Sequence, residues 1–357
     1  MVIIAKARGL DFAEYSSLKP LLAELLRKAR KPFDIDPLDP LLTWLVPNSA
    51  SHFRSIEAGI QKLLIDDSCY QNLNRRGLQA LSDLAAFFYV ALFRTLRRFL
   101  RPFLPSNPTW VKKPKRQASR LRPDAVAARV AFRSEVEQML TLPAKTEKTK
   151  TPGKKHLAVA SSESLPLRDE AIDLVLSSPP YCTRIDYAVA TAIELAALGY
   201  SADEEFDLRR CLIGNTTVPK TPPSISTELG STCLRFLKGL AEHPSKASST
   251  YYLKNHLQYF HSIRASLAEI SRVMRTKARC LLVVQDSYYK NLHNDLPRMF
   301  VEMAARQKLT LVERRDFPLS RTMAGINPRV NDYRESFSAT ESVLSFVKSS
   351  SLSGERA

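Results

Sequence analysis

Apolar residues recur at helical spacing along the first hundred residues of the chain. One stripe comprises Leu18, Leu21, Leu22, Leu25 and Leu26, and a second runs from Leu78 to Leu92. Apolar positions three and four apart share one face of a helix, so these stripes predict helices with one buried side. We expect residues 10 to about 105 to form a helical region.

In the second half, short apolar runs alternate with helical stripes. Besides the apolar run near residue 172, the pattern predicts strands at 156–160, 280–286, 309–317 and 342–347, and helices at 186–198, 252–274 and 293–307. Such alternation is typical of an α/β domain with a mostly parallel sheet. Residues 200–250 interrupt it with a polar insertion, in which 216–223 are too rich in Thr and Pro for regular structure.

The apolar run Ile172-Asp173-Leu174-Val175-Leu176 predicts a buried strand. The segment Ser178-Pro179-Pro180-Tyr181 follows it and cannot continue the strand, since proline has no N–H for the ladder. The sequence therefore predicts a stiff loop at the carboxyl end of a strand. Open α/β sheets bind their ligands at that end, so the loop is a candidate site.

This loop resembles the (Asp/Asn/Ser)-Pro-Pro-(Tyr/Phe) motif of the DNA amino-methyltransferases, and its serine is most typical of the cytosine-N4 enzymes. The lead-in at 164–173 and the stretch at 272–287 are also similar to that family. The resemblance covers about 156–348. It implies a Rossmann-like class I methyltransferase sheet, here with a helical, basic insertion, and S-adenosylmethionine as the methyl donor.

The resemblance also implies roles for individual residues. The family acts on a base flipped out of double-stranded DNA, whose exocyclic amine would give its hydrogens to the Ser178 hydroxyl and the Pro179 carbonyl. Pro180 stiffens the loop, and the Tyr181 ring would stack on the base. No metal or covalent nucleophile is needed. Asp173 lies on the strand before the loop and is a supporting candidate that would only orient it. The other supporting candidates, each with helix capping or solvent exposure as the alternative, are Asp186, Tyr187 and Asp286.

The cofactor site that the family requires has no counterpart in this sequence. The family binds the cofactor with a Phe-x-Gly-x-Gly turn, whereas this chain has 10 glycines and no Gly-x-Gly. Ser161 stands where the family often has an acidic residue, and Asp34-Ile35-Asp36-Pro37 is better interpreted as a loop with a helix-capping Asp. Residues 1–8 are similar to residues that follow the second cofactor motif in the family. We therefore expect a truncated or split form, with unknown cofactor-binding residues and a sheet that lacks its N-terminal strands.

The missing strands have a predictable consequence for the rest of the sheet. In the family the first strand is central and the second lies beside it. Without both, the strand predicted at 156–160 loses its usual neighbour. We expect an apolar edge or groove to remain, which is a liability for a lone chain.

A net charge of +17 indicates an anionic partner. Residues 94–155 hold 17 Lys/Arg and 4 Asp/Glu, so most of the excess lies there. Cations interleaved with an aromatic residue suit contact with phosphates and a base. The predicted nucleic-acid-binding residues are Arg97, Arg98, Arg101, Trp110, Lys112, Lys113, Lys115 and Arg116.

The expected organisation is a helical region at 1–105, a basic linker and nucleic-acid-contact segment at 106–155, and an α/β catalytic region at 156–350 with the 200–250 insertion, followed by a tail at 351–357. The five cysteines share no CxxC spacing, which favours thiols in a reducing cytoplasm over disulfides or a zinc site. No run of 18 apolar residues is present, so no membrane span is expected.

Three functional hypotheses follow from these patterns. The first is cytosine-N4 methylation of DNA in a restriction-modification or defence system, with an N-terminal partner polypeptide or a restriction endonuclease as a partner. The second is adenine-N6 methylation of DNA. The third is a non-catalytic DNA-binding remnant or regulator.

Overall fold

The computed structural model describes residues 1–65, 81–105, 110–141, 154–182, 185–218, 220–319 and 339–349. The chain divides into two compact units. The first comprises 1–159 and 187–210, and the second comprises 160–186 and 211–357. The predicted tail at 351–357, and the parts of the predicted linker at 106–109 and 142–153, lie outside the described residues.

The first unit is helical. Its described helices are α1 (Val2–Arg8), α2 (Tyr15–Lys28), α3 (Pro47–Leu64), α4 (Asp83–Phe99), α5 (Ala125–Thr141), α6 (Tyr187–Ala190), α7 (Ala192–Ala197) and most of α8 (Ala202–Cys211). Of the predicted stripe on α2, Leu21 is half-buried and the other four leucines are buried. The rings of Trp44, Phe53, Phe88 and Phe132 fill the core. Ser82 caps α4 by accepting a hydrogen bond from the Ala85 N–H at 3.1 Å.

The second unit is built on a sheet. Its elements are β1 (Ile172–Ser177), α9 (Ser231–Glu242), α10 (Leu253–Val273), β2 (Met274–Gln285), β3 (Ser287–Tyr289), β4 (Leu292–Asn294), α11 (Leu296–Arg306), β5 (Leu309–Leu319) and β6 (Ala339–Lys348). The strand order is β1-β2-β6-β5. Strand β1 is parallel to β2, and β6 is antiparallel to both β2 and β5, so β6 alone is reversed among these four. The mixed α/β architecture is confirmed and is compatible with a methyltransferase-like fold.

Helices α9, α10 and α11 pack on one face of this sheet. Their aromatic residues Phe236, Phe260 and Phe300 share a core with Leu282 on β2 and Phe346 on β6. From Cys280 to Gln285 on β2, buried residues alternate with half-buried ones, as expected when one face is better covered than the other. Helix α9 lies in the stretch interpreted from sequence as a polar insertion, yet it supplies four buried side chains to this core.

The prediction of a strand at 156–160 is wrong. These residues form no strand, and an isolated bridge between Ser161 and Ser164 is the nearest pairing in the described chain. Leu157 and Val159 are exposed. An apolar run becomes a strand only when another strand takes its hydrogen bonds, and none of the described strands does so here.

The helix predicted at 186–198 is broken into α6 and α7. The break is at Thr191, whose hydroxyl donates to the Tyr187 carbonyl at 2.8 Å. A threonine that bonds back in this way competes with the helical ladder. Among the described helices, none is long and apolar enough to cross a membrane.

Candidate active site

The Ser-Pro-Pro-Tyr loop follows β1 directly, at the carboxyl end of the parallel pair β1 and β2. Ser177 is in register with Leu282, so the loop begins beside the last residues of β2. The exposed Ser178 hydroxyl donates to the Val283 carbonyl at 3.4 Å. Because its proton points to β2, the hydroxyl oxygen can offer lone pairs to an incoming donor.

The loop is also fixed through its second proline. Tyr259 on α10 is 2% exposed, and its hydroxyl donates to the Pro180 carbonyl at 2.8 Å. This bond ties the loop to the helix that covers the sheet. Sequence reasoning missed Tyr259, because only the fold brings α10 against the loop.

Residues 212–217 form the other support of the loop. Gly214 has φ +77°, and a Cβ at this position would lie 3.1 Å from the Tyr181 carbonyl oxygen. The side-chain Nδ2 of the buried Asn215 holds the turn by donating to the Leu212 carbonyl at 2.5 Å. The main-chain carbonyl of Asn215 accepts from Asn255 Nδ2 at 2.8 Å. A glycine next to an asparagine is the local signal that could have predicted this turn.

Gly214→Ala is expected to destabilise the protein more than Gly199→Ala does. Both glycines have positive φ, which costs a Cβ about 1–2 kcal/mol. No heavy atom of the described residues lies within 4 Å of the Cβ position at Gly199, whereas at Gly214 the new Cβ presses on the Tyr181 carbonyl. Urea unfolding of both variants measures the difference. Equal losses of stability would mean that the loop is not packed against Gly214.

Tyr181 itself is half-buried. Burial raises the pKa of its phenol, and the charge of Glu341 raises it further. The phenol therefore stays protonated at neutral pH, which suits a neutral ring that stacks on a base.

Two of the supporting candidates are buried carboxylates. Asp186 is buried, and its Oδ2 accepts from the Thr216 hydroxyl at 3.1 Å. Asp286 follows β2, and its Oδ1 accepts from the Thr340 N–H at 2.8 Å. Each carboxylate therefore stabilises a neighbouring segment by a hydrogen bond.

The other two supporting candidates lie elsewhere. Asp173 is exposed at the start of β1 and pairs with Arg275 at 2.6 Å. Tyr187 begins α6 in the first unit and is 38% exposed. A role in the chemistry stays a prediction for all four supporting candidates.

Asp286 has a partner that the sequence did not indicate. His293 on the β3–β4 hairpin donates its Nε2–H to Asp286 Oδ2 at 3.0 Å. This hydrogen bond raises the pKa of His293 above the ordinary value, while partial burial acts in the opposite direction. The hairpin thus places a titratable pair after the end of β2.

This pair is expected to make stability depend on pH. The folded-state pKa of His293 is raised above its unfolded value of 6.5, so its stabilisation is complete below that value. It is lost as the pH rises through the folded-state pKa. The free energy of unfolding, measured with urea at about pH 6 and about pH 8, should decrease more between these two pH values for wild type than for His293→Gln. An identical loss in the two proteins would assign the pH dependence to other groups.

In the first unit, residues 110–121 form an extended basic segment, which we call the basic strap. Trp44 Nε1 donates to the Lys112 carbonyl at 2.8 Å, and the Leu121 N–H donates to the Trp44 carbonyl at 2.9 Å. The strap therefore lies along the buried Trp44. Its exposed cations are Lys112, Lys113, Lys115 and Arg116, and Trp110 at its start is 47% exposed.

The three predicted arginines at the end of α4 differ in their surroundings. Arg97 pairs with Glu194, to which its Nη2 donates at 2.9 Å, and also donates to the Ala190 carbonyl at 2.6 Å. Arg98 and Arg101 are exposed. Near the strap, a cavity of about 240 Å³ is lined by residues that include Lys113, Arg120 and Tyr200.

The residues present do not fit a complete S-adenosylmethionine site. No Gly-x-Gly occurs in the sequence, and no glycine follows a described strand as the family's turn would. The positive-φ glycine nearest to the loop, Gly214, is used to pack the Tyr181 carbonyl. What the geometry provides is a loop with polar acceptors and an aromatic ring, at the ligand-binding end of the sheet.

Comparison with known proteins gave limited matches. No family model matches the chain, and no solved structure matches it. The type II methyltransferase M.AvaI from Nostoc sp. and its counterpart from Anabaena variabilis are each 27% identical over 131 residues, which is 34% of this chain. The match covers 27% of each relative, so the chain spans about a quarter of the curated proteins it matches. Over about a third of its length, the chain is similar to type II methyltransferases.

Proposed function

We propose that this chain contains the target-base half of a DNA amino-methyltransferase that modifies cytosine at N4. The observation that carries the proposal is the loop from Ser178 to Tyr181 at the carboxyl end of β1, held by Tyr259 and Gly214. The similarity to two type II methyltransferases supports methylation of DNA as the reaction class. The serine at the first position of the loop favours cytosine over adenine.

The proposed chemistry of the loop starts from the target amine. The amine of cytosine has its lone pair delocalised into the ring, and pairing occupies one of its hydrogens, so the base must leave the helix. The Ser178 oxygen and the Pro179 carbonyl then accept the two hydrogens of the amine. This favours a pyramidal nitrogen with a directed lone pair, while Tyr181 stacks on the ring. Positioning is the main contribution of these residues.

S-adenosylmethionine would supply an activated methyl group on a sulfonium. The residues of this chain do not fit its site, since no Gly-x-Gly occurs in the sequence. We propose that another unit binds the cofactor and that a restriction endonuclease accompanies the enzyme.

The basic strap is the proposed contact with the DNA backbone. Its four exposed cations lie within five consecutive residues, on a segment fixed by Trp44. Arg98 and Arg101 add exposed charge, whereas Arg97 is engaged by Glu194. Trp110 is available to stack on a base.

Lys115→Ala with Arg116→Ala is expected to weaken binding of duplex DNA and to flatten its salt dependence. Each lost phosphate contact reduces the slope of log K against log salt by about 1. Fluorescence anisotropy with a labelled duplex at several salt concentrations measures this. Lys19→Ala, an exposed lysine on α2, is the control and should leave the slope unchanged. An unchanged slope in the double variant would remove the strap from the DNA contact.

The experiment that tests the proposed function is modified-base sequencing of genomic DNA. Source cells with the intact gene are compared with cells from which it is deleted. N4-methylcytosine at one short motif, lost on deletion, supports the proposal. N6-methyladenine would support the adenine alternative, and no difference in any modified base would favour a non-catalytic DNA-binding protein.

A further inference from the structure

The cavity of about 240 Å³ in the first unit is bounded by four segments of the chain. Its walls come from residues 37–44, from the basic strap, from α7 and from the start of α8. All four segments belong to the same compact unit. None of the lining residues belongs to the Ser-Pro-Pro-Tyr loop, which is part of the second unit.

The walls of this cavity are held in place by hydrogen bonds. Arg54 Nη2 donates to Asp39 Oδ1 at 3.0 Å and to the Ala196 carbonyl at 2.8 Å, and both acceptors belong to lining residues. Trp44 also lines the cavity, and its Nε1 fixes the strap at the Lys112 carbonyl. The cavity is therefore preorganised, which lowers the entropic cost of binding a ligand.

Three charged side chains that line the cavity form no ion pair with any described residue. They are Lys113 and Arg120 on the strap and Glu205 on α8. Asp39 adds no available charge, because it is paired with Arg54. Two cations and one carboxylate therefore remain for a ligand, and a few convergent polar groups of this kind are typical of a small-molecule site.

These charges match a phosphate monoester better than a phosphate within a DNA strand. A monoester carries about −1.5 to −2 charges at pH 7, whereas a backbone phosphate carries one. Lys113 and Arg120 balance the monoester, and arginine can donate to two phosphate oxygens at once. Glu205 would repel a bare phosphate, but its oxygens can accept hydrogen bonds from an amine or a hydroxyl. The ligand that fits therefore carries hydrogen-bond donors as well as a phosphate.

We propose that this cavity binds a nucleoside 5′-monophosphate group, either as a free mononucleotide or as the 5′-phosphorylated end of a DNA strand. Tyr200 and the apolar residues Leu42 and Ala192 line the space for the base. Pockets for drug-sized ligands have volumes of roughly 300–1,000 Å³, so this smaller cavity limits the ligand to one pyrimidine nucleotide. The site binds its ligand whether or not the chain methylates DNA.

Isothermal titration calorimetry of the full chain with deoxycytidine 5′-monophosphate tests this site. Deoxycytidine and inorganic phosphate should each bind about 10-fold more weakly or worse, because each lacks part of the recognised groups. Arg120→Ala should weaken binding of the nucleotide about 10- to 100-fold, through loss of charge-assisted hydrogen bonds. Arg122→Ala is the matched control, since Arg122 is exposed and does not line the cavity. It should retain the wild-type affinity.

A second variant blocks the cavity without a change of charge. Ala202 is exposed at the start of α8, so Ala202→Leu should not unfold the protein, and circular dichroism checks this. Its larger side chain should weaken binding of the nucleotide about 10-fold. The proposal is overturned by any of three results: no saturable binding of the nucleotide, equal affinities for the nucleotide and inorganic phosphate, or wild-type affinity in both Arg120→Ala and Ala202→Leu.

Competition against deoxycytidine 5′-monophosphate identifies the source of the ligand. A short single-stranded oligonucleotide with a 5′-phosphate, but not the same oligonucleotide with a 5′-hydroxyl, displaces the nucleotide if the cavity binds the end of a DNA strand. If neither oligonucleotide displaces it, the ligand is a free mononucleotide. Equal displacement by both would show that the monoester is not recognised and would overturn the proposal.

Discussion

Cells that carry Tyr181→Ala in place of the wild-type chain lose most of the base methylation that the wild type supports. Stacking of a base on an aromatic side chain contributes about 1–3 kcal/mol, so the rate should fall about 10- to 100-fold. Tyr181→Phe is the matched control, since it keeps the ring and removes the hydroxyl. Modified-base sequencing at fixed times after induction gives the fraction of sites methylated.

Ser178→Ala should have a larger effect on the same measurement. Loss of a preorganised hydrogen-bonding group that acts in the transition state costs on the order of 100- to 1000-fold in rate. The Ser178 hydroxyl is well placed for this, because it is exposed and donates its own proton to the Val283 carbonyl. Ser231→Ala at the start of α9 is the control.

The two substitutions together decide whether the loop acts on a base. Ser178 is exposed and Tyr181 is half-buried, so neither change should unfold the protein. Wild-type methylation in both variants would show that the loop is not the base-binding site. If methylation is lost with Ser178→Ala but not with Tyr181→Ala, the loop binds the amine and Tyr181 does not stack on the base.

Local periodicity was sufficient for much of the fold. The spacing of Leu257, Phe260, Ile263 and Leu267 predicts the helix at 252–274, and α10 spans Leu253–Val273. The apolar run from residue 172 and the prolines after it locate β1 and the loop, but the prediction that this strand is buried is wrong, because no described strand pairs with its outer edge. These features depend on residues close in sequence, where side-chain periodicity and missing N–H groups act directly.

Features that depend on distant residues could not be predicted. Tyr259 reaches the loop across 79 positions of the chain, and His293 reaches Asp286 through a hairpin that periodicity did not indicate. The strand expected at 156–160 failed for the same reason, since an apolar run does not reveal whether another strand is present to pair with it. Sequence therefore located the loop, and the fold revealed what holds it.

The first unit contains a buried ion cluster around Arg54, and removal of its positive charge is expected to destabilise the protein. Arg54 Nε donates to Asp39 at 2.7 Å, and the guanidinium also pairs with Glu57. The same guanidinium donates to the carbonyls of Ala196 and Ala197 at 2.8 and 2.7 Å. Although burial alone would lower the pKa of Arg54, Glu57 and Asp39 raise it, so the side chain stays charged.

Arg54→Met should therefore lower the free energy of unfolding by about 3–5 kcal/mol, because it leaves two buried carboxylates without their counter-ion. Arg27→Met, which breaks an exposed pair with Glu24, should cost far less, because water screens both charges. Adding Glu57→Gln to Arg54→Met should recover part of the loss, since it removes one of the stranded charges. Urea unfolding of the three variants measures these values. A loss within 1 kcal/mol of the Arg27→Met control would mean that Arg54 does not hold residues 187–210 to α3.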